Sequence, residues 1–329
     1  MADFAFATCL PGLEPAVKRD VARARPDLRF AYSRPGLVTF KSSRAIAPDD
    51  AAGSVFARVW GRSIGAAGDP AAAAVQLAAY DVQRVHAFAR DPDAAIALGV
   101  WQAIGPGGAA RDGELVADVI VAADEPAWLG VHRHDASRPS HAGGAIPVDV
   151  PGDAPSRAYA KLEEAIAWAK LPIEPGQVAV EIGAAPGGAL LALARRGVTA
   201  FGVDTAELAP HVRALPNVHH VAKKVGALRW EDLPERVDWL LVDVNLAPQV
   251  ALHEVARLMP RLRSSLIGAV ITLKLNDWRF VDELPELVAR IRHMGFAEVT
   301  LRHLPSNRRE ICAVGRIQTV WPVINARSS

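Results

Sequence analysis

Two cysteines, Cys9 and Cys312, are all that the 329 residues contain. That is too few for a disulfide framework or a cysteine zinc site, and it suits a reducing cytoplasm. No apolar run is long enough to span a bilayer and no secretory leader is visible, so a cytoplasmic protein with no membrane partner is expected. A one-signed charge is missing too: 37 Lys and Arg stand against 36 Asp and Glu, for a net charge of +1. A dedicated nucleic-acid binder often carries a strongly basic domain, so overall charge gives an RNA partner only partial support. His132, His134 and His141 lie close together in sequence. No cysteine accompanies them and their spacing is loop-like, so they read as solvent-exposed side chains and no metal is expected. No internal repeat is visible.

What is present centres on Glu181-Ile182-Gly183-Ala184-Ala185-Pro186-Gly187-Gly188, which follows the apolar run Val178-Ala179-Val180 and opens into the helical run 189–194. A strand turning through small residues into a helix lets a ligand approach the backbone, because Gly183, Gly187 and Gly188 have no Cβ to obstruct it. The next apolar run, 199–203, ends in Asp204, where an open α/β sheet places a carboxylate for ribose hydroxyls. These features define a nucleoside-cofactor site. The spacing is not the dinucleotide pattern GxGxxG.

GAAPGG followed by an acidic strand end resembles the S-adenosylmethionine loop of Rossmann-like methyltransferases, and the AAPGG form resembles the FtsJ-like ribose 2′-O-methyltransferases. That resemblance implies a Lys-Asp-Lys-Glu tetrad, each member in its own local context, and all four contexts occur in order. Ser156-Arg157-Ala158-Tyr159-Ala160-Lys161-Leu162-Glu163-Glu164 matches SRAxxKLxE and supplies Lys161. The apolar run 237–242 ends in Asp243, the run 270–273 leads into Lys274, and Ser306-Asn307-Arg308-Arg309-Glu310 supplies Glu310. The resemblance covers about residues 154–317. It implies S-adenosyl-L-methionine as cofactor, bound by Gly183, Ala184, Ala185, Pro186, Gly187, Gly188, Asp204 and Asp243. It also implies Lys161, Asp243, Lys274 and Glu310 as catalytic residues, with Lys274 the base. Two departures stand out. Residues 219–226 carry no carboxylate to contact the adenine, and Ala189 stands where an aromatic residue often follows the turn.

A ribose hydroxyl is a poor nucleophile, so methyl transfer needs a base beside it and a methyl group held in line. Lysine, with a pKa of about 10.4, is almost wholly protonated at neutral pH. A second ammonium at Lys161 and partial burial are expected to push Lys274 down; Asp243 alone would act in the opposite direction, and it and Glu310 are expected chiefly to hold the ammonium groups in place.

Periodicity supports an α/β, Rossmann-like methyltransferase fold without help from the resemblance. Apolar runs ending near residues 182, 203, 222, 244 and 275 alternate with helical patterns at about 189–196, 207–215, 250–262 and 281–294, which is the pattern of a parallel sheet. The closing pair, 298–304 and 310–317, is joined too tightly for a crossover and should be antiparallel, giving a seven-stranded sheet with one reversed strand.

Upstream, small α+β units of a ferredoxin-like or THUMP-like kind are expected. The division reads 1–50 as an N-terminal unit, 51–135 as a THUMP-like RNA-binding unit, 136–155 as a linker, 156–318 as the methyltransferase domain and 319–329 as a tail. This arrangement, with the fragments 8–14, 56–65 and 128–134, resembles the RlmM type of 23S rRNA cytidine 2′-O-methyltransferase and implies 23S rRNA as partner. Residues 1–44 hold eight Lys and Arg against four Asp and Glu, and residues 45–155 hold seven against fourteen. Phosphate contacts are therefore expected first from Lys18, Arg19, Arg23 and Arg25 and from Arg308 and Arg309. A methyltransferase for another RNA or a small molecule, and a non-catalytic RNA-binding paralogue, remain as alternatives. The oligomeric state is not readable.

Overall fold

The computed structural model describes residues 3–50, 53–90, 98–275 and 280–318. The expected tail, 319–329, lies outside them. The chain divides into two compact units, Met1–Pro147 and Val148–Ser329.

The first unit is one mixed seven-stranded sheet. Its elements in chain order are β1 (Phe4–Thr8), α1 (Glu14–Ala24), β2 (Leu28–Arg34), β3 (Leu37–Ser42), β4 (Trp60–Ala67), α2 (Pro70–Leu77), β5 (Arg84–Ala89), α3 (Leu98–Gln102), β6 (Leu115–Val121) and β7 (Ala127–Arg133). The spatial order is β2-β3-β1-β4-β7-β6-β5. Because β1 pairs with β3 on one side and β4 on the other, a single sheet runs through both upstream segments. Strand alternation sorts the side chains. Val119, Val121, Leu129 and Val131 meet Ala73, Leu77 and Trp101 of α2 and α3 in a buried cluster. Phe6, Leu37 and Ile120 form a second cluster on the opposite face, with Phe88 and Trp128 packed on it.

The histidines correct the expectation of exposure. β7 runs on to Arg133, so His132 belongs to the sheet, and His132 and His134 are 3% and 4% exposed. His132 Nδ1 lies 2.5 Å from the carboxylate of the buried Asp118 on β6. His86 on β5 is also buried and bonds the Gly108 carbonyl through Nε2, 2.9 Å away. Among the described residues no cluster of His, Cys, Asp and Glu has the geometry to hold a metal ion.

The second unit is a Rossmann-like, seven-stranded methyltransferase sheet. It contains α4 (Ala158–Ala169), β8 (Val178–Ile182), α5 (Gly188–Arg195), β9 (Thr199–Val203), α6 (Pro210–Arg213), β10 (Val218–Val221) and β11 (Trp239–Val242). α7 (Pro248–Leu262), β12 (Gly268–Lys274), α8 (Phe280–His293), β13 (Glu298–Arg302) and β14 (Glu310–Arg316) complete it. The order is β10-β9-β8-β11-β12-β14-β13, and β14 is antiparallel to both of its neighbours. The helix expected over 207–215 contracts to the single turn of α6, because Pro210 fixes its start and Pro216 follows closely. The strand order reverses between β8 and β11. In an open α/β sheet the crevice beyond the strand ends at such a reversal is where ligands bind.

Candidate active site

The glycine loop leaves β8 at that crevice. Gly183 (φ +85°) and Gly187 (φ +106°) occupy the left-handed region, which a side chain rarely adopts. A Cβ on Gly183 would stand 2.5 Å from the Asp243 carbonyl oxygen, and one on Gly188 would stand 2.3 Å from Ser156 Oγ. The loop after β8 therefore touches the loop after β11, and α5 lies hard against the start of α4. Asp204, just past β9, accepts the Ala185 N–H at Oδ2 (3.0 Å) and the Ala206 N–H at Oδ1 (2.9 Å). Its carboxylate thus shapes the loop while remaining partly open to solvent.

Lys161 on α4, Asp243 after β11, Lys274 at the end of β12 and Glu310 at the start of β14 converge at the same edge. They form a closed ring of alternating charge. Lys161 Nζ lies 2.9 Å from Asp243 Oδ2 and 2.5 Å from Glu310 Oε1. Lys274 Nζ lies 2.7 Å from Asp243 Oδ1 and 2.7 Å from Glu310 Oε2. The Lys161–Asp243 and Lys274–Glu310 contacts have hydrogen-bond geometry. The other two, Lys161–Glu310 and Lys274–Asp243, are ion pairs at contact distance. None of the four side chains is more than 19% exposed, so the attraction is screened far less than on an open surface.

The ring acts on protonation in a direction the sequence reading did not expect. Burial does press the Lys274 pKa downward, but the Asp243 and Glu310 carboxylates outweigh it and hold Lys274 above the ordinary lysine value. Glu310 is held below the ordinary carboxylate range: burial opposes this, and the two ammonium groups prevail.

Two residues outside the expected set join the site. Glu181, within β8, is 2% exposed, and its Oε2 has no hydrogen-bond partner in the structure. Burial, then the Asp243 and Asp204 carboxylates, raise its pKa well above the ordinary carboxylate value. The legible signal was an acid in the middle of an apolar strand. Glu164 on α4 is the second. It accepts the Ser306 N–H (2.8 Å) and hydroxyl (2.7 Å), tying the loop before Glu310 to the helix that carries Lys161. Arg157 adds a bond to the Ser306 carbonyl (3.1 Å).

A cavity of about 30 Å³ lies behind the ring, lined by Lys161, Glu181, Asp243, Asn307 and Cys312 among others. It has room for about one water. A larger cavity of about 680 Å³ lies between α7 and α8, lined by Leu252, Met259, Arg263 and Arg290 among others, and contains none of these groups. Of the residues expected to meet phosphate, Arg23 and Arg25 are engaged with Asp20 and Asp27. Arg308 and Arg309 are exposed beside Glu310.

A glycine cradle open to close approach, a carboxylate at the adjacent strand end and a buried acid with an unpartnered oxygen fit a nucleoside that carries positive charge. Residues 154–277 match the family model described as FtsJ-like methyltransferase. Among whole proteins, the chain is similar to "Ribosomal RNA large subunit methyltransferase M" of Alkalilimnicola ehrlichii, 39% identical over 42% of this chain and 40% of that one. The protein of the same name from Halorhodospira halophila is 36% identical over 51% of this chain and 48% of that one. The matches thus span about half the length of these relatives or less. Among solved structures, TrmN from Thermus thermophilus aligns at a TM-score of 0.38 and 16% identity over 95% of this chain and 99% of that one, a likeness too slight to bear on function.

Proposed function

We propose that the protein transfers a methyl group from S-adenosylmethionine to a ribose 2′-hydroxyl of RNA, with 23S rRNA the substrate and a cytidine the nucleoside. The observation that carries this reading is the four-membered charge ring at the mouth of the glycine loop. Two lysines and two carboxylates serve a hydroxyl that must be positioned and deprotonated, and a substrate that is already a good nucleophile would not need them. The relatives' names point to large-subunit rRNA.

Residues 183–188, Asp204 and Asp243 would hold the cofactor, with Glu181 buried behind the loop. When bound, S-adenosylmethionine supplies an electrophilic methyl group and a positive charge next to a ring that is otherwise neutral. Lys161, Asp243 and Glu310 orient the ribose hydroxyl. The fraction of Lys274 that has first released its ammonium proton to solvent accepts the hydroxyl proton, which frees the ribose oxygen to take the methyl group. Water exclusion and a nearby cation both favour the neutral amine. Arg308 and Arg309 meet the phosphates of the incoming strand. Residues 156–318 form the catalytic domain, and the region before residue 136 selects the RNA.

The test is nucleoside mass spectrometry of rRNA incubated with the protein and cofactor, followed by mapping of the position that resists alkaline cleavage. A single new 2′-O-methyl nucleoside in 23S rRNA is expected. Base-methylated nucleosides, or methylation of small molecules in place of RNA, would overturn the reading.

A further inference from the structure

The three helices of the first unit lie on one face of its sheet: α1 packs on β2 and β3, α2 on β4 and α3 on β5. The chain after β7 packs against β5 and against the start of β4, where Arg138 bonds the Trp60 carbonyl (2.6 Å). On the β5 side Ala110 N–H bonds the Ser140 carbonyl (2.7 Å) and Gly143 lies against the Phe88 ring. The β2-β3-β1 side has no such cover, and its side chains are of two kinds. Phe4 and Tyr32 are 37% and 36% exposed. Tyr32 stacks against Trp128 with ring centres 6.1 Å apart and planes 12° apart, and the Arg34 guanidinium lies 4.9 Å from the Tyr32 ring centre. Arg29 and Lys41 are exposed register partners that form no ion pair among the described residues.

These groups share a face because of one inserted residue. Arg29 pairs with Lys41 and Phe30 with Phe40, but the register then shifts, so that Tyr32, and not Ala31, pairs with Thr39. In an unbroken strand Tyr32 would follow Phe30 to the helix-covered face, where Lys18 Nζ lies 4.1 Å from the Phe30 ring centre. The bulge at Ala31 turns Tyr32 outward beside Arg29, Lys41 and Phe4. Glu125, at the same face, is engaged with Arg34 and Arg90.

We propose that this open face, with Phe4, Tyr32 and Trp128 set among Arg29, Arg34 and Lys41, binds a single-stranded stretch of RNA by base stacking. This deepens the proposed function and rests on its RNA substrate. Planar rings and a guanidinium standing on a flat sheet offer surfaces to unstacked bases, and unpaired cations beside them meet the phosphates. A duplex offers the phosphates but no open base faces, since its bases stack on one another.

The test uses the full chain and a fluorescent twelve-nucleotide unstructured RNA, read by anisotropy, with the matching duplex as control. Tyr32→Ala is expected to weaken single-strand binding about 5- to 100-fold, and Tyr32→Phe to leave it nearly unchanged. The pair Arg29→Glu with Lys41→Glu should weaken it and flatten its salt dependence by about 1.4 in logarithmic slope. All three variants should bind cofactor and melt like the parent. Four-thiouridine photo-crosslinks should map to peptides containing Phe4, Tyr32 or Trp128. Equal affinity for the duplex, unchanged binding in Tyr32→Ala, or crosslinks confined to other peptides would overturn the proposal. So would a self-association of the chain that Tyr32→Ala abolishes. If rRNA is methylated while these variants bind RNA normally, the surface fails and the catalytic reading stands. If the face binds RNA but no 2′-O-methyl product forms, the reverse holds.

Discussion

Lys274 closes β12 and Glu310 opens β14, and the two stand directly opposite each other in the antiparallel ladder with Nζ 2.7 Å from Oε2. Their separation is therefore set by backbone register, the most firmly specified relationship in a buried sheet. Lys161 and Asp243 come from a helix and a loop and complete the ring around that fixed pair.

Replacing Lys274 by Ala should cost about 10²–10⁴-fold in methyl-transfer rate, the usual loss for a general base. Cofactor affinity should stay within a few-fold, because the glycine loop and Asp204 do not touch this side chain and Asp243 keeps its bond to Lys161. Single-turnover transfer of a radiolabelled methyl group, with calorimetry for the cofactor, measures both. Turnover close to that of the parent would assign the base to another group.

Because the carboxylates hold Lys274 in its charged form, the neutral amine is scarce at neutral pH. Its fraction grows tenfold for each pH step while the group stays below its pKa. The logarithm of the rate should therefore climb with a slope near one from about pH 7 to 9, with no plateau in between. Glu310→Gln removes one of the two restraining carboxylates and should move that limb to lower pH. A limb that stays in place in the variant would show that Lys274 is not the titrating group.

Burial, then the Asp243 and Asp204 carboxylates, raise the Glu181 pKa above the ordinary value. A folded-state pKa raised above the unfolded value gives stability that is fully present below about pH 4.5 and declines as pH rises through the folded value. Glu181→Gln keeps the shape without the proton uptake. In the cofactor-free chain it should melt higher than the parent, with a gap that widens from about pH 5 to 8. Differential scanning calorimetry at several pH values would refute this by showing parallel curves.

The histidines of the first unit carry the opposite sign. Burial, the largest effect, depresses the pKa of His86 and of His134. A folded value below the unfolded one, about 6.5, gives stability that is full above that pH and lost as pH falls through the folded value. Acidification from about pH 7 to 5 should lower the melting temperature, and His86→Gln should reduce that drop. The same drop in variant and parent would remove His86 from the account.

The second unit was largely legible because its signals are local. A glycine turn after an apolar run, and charged residues at strand ends, are visible within a few residues, and the structure brings Lys161, Asp243, Lys274 and Glu310 to one edge. The first unit was less so, because the β1–β4 pairing joins Ala5 to Arg62, and nothing local announces a partner that far along the chain. His132 was read as part of a loop because the apolar run stops at Val131. Its burial depends on Asp118, fourteen residues upstream, receiving it. Tyr32 was hidden for a subtler reason. A bulge changes which side a residue faces without changing composition, and alternation alone assigns it to the wrong face. Glu181 could have been found, since an acid inside an apolar strand needs a reason. The helix expected at 207–215 shows the limit of periodicity where two prolines bracket a segment.

The reversed strand has a consequence for how this enzyme class can diversify. Chain passing between parallel strands must cross the sheet and return through a helix, so a change there disturbs a whole layer of packing. The link between β13 and β14 is a hairpin whose tip, residues 303–309, opens at the edge that carries Lys274 and Glu310. Glu164 grips it at Ser306 and leaves Arg308 and Arg309 outward. That tip can lengthen, shorten or change charge as a self-contained piece, with the methyl-donor cradle untouched on the far side of the strand reversal. Substrate choice and cofactor use are thereby mechanically separable, and exchanging tips between relatives should redirect the former without retuning the latter.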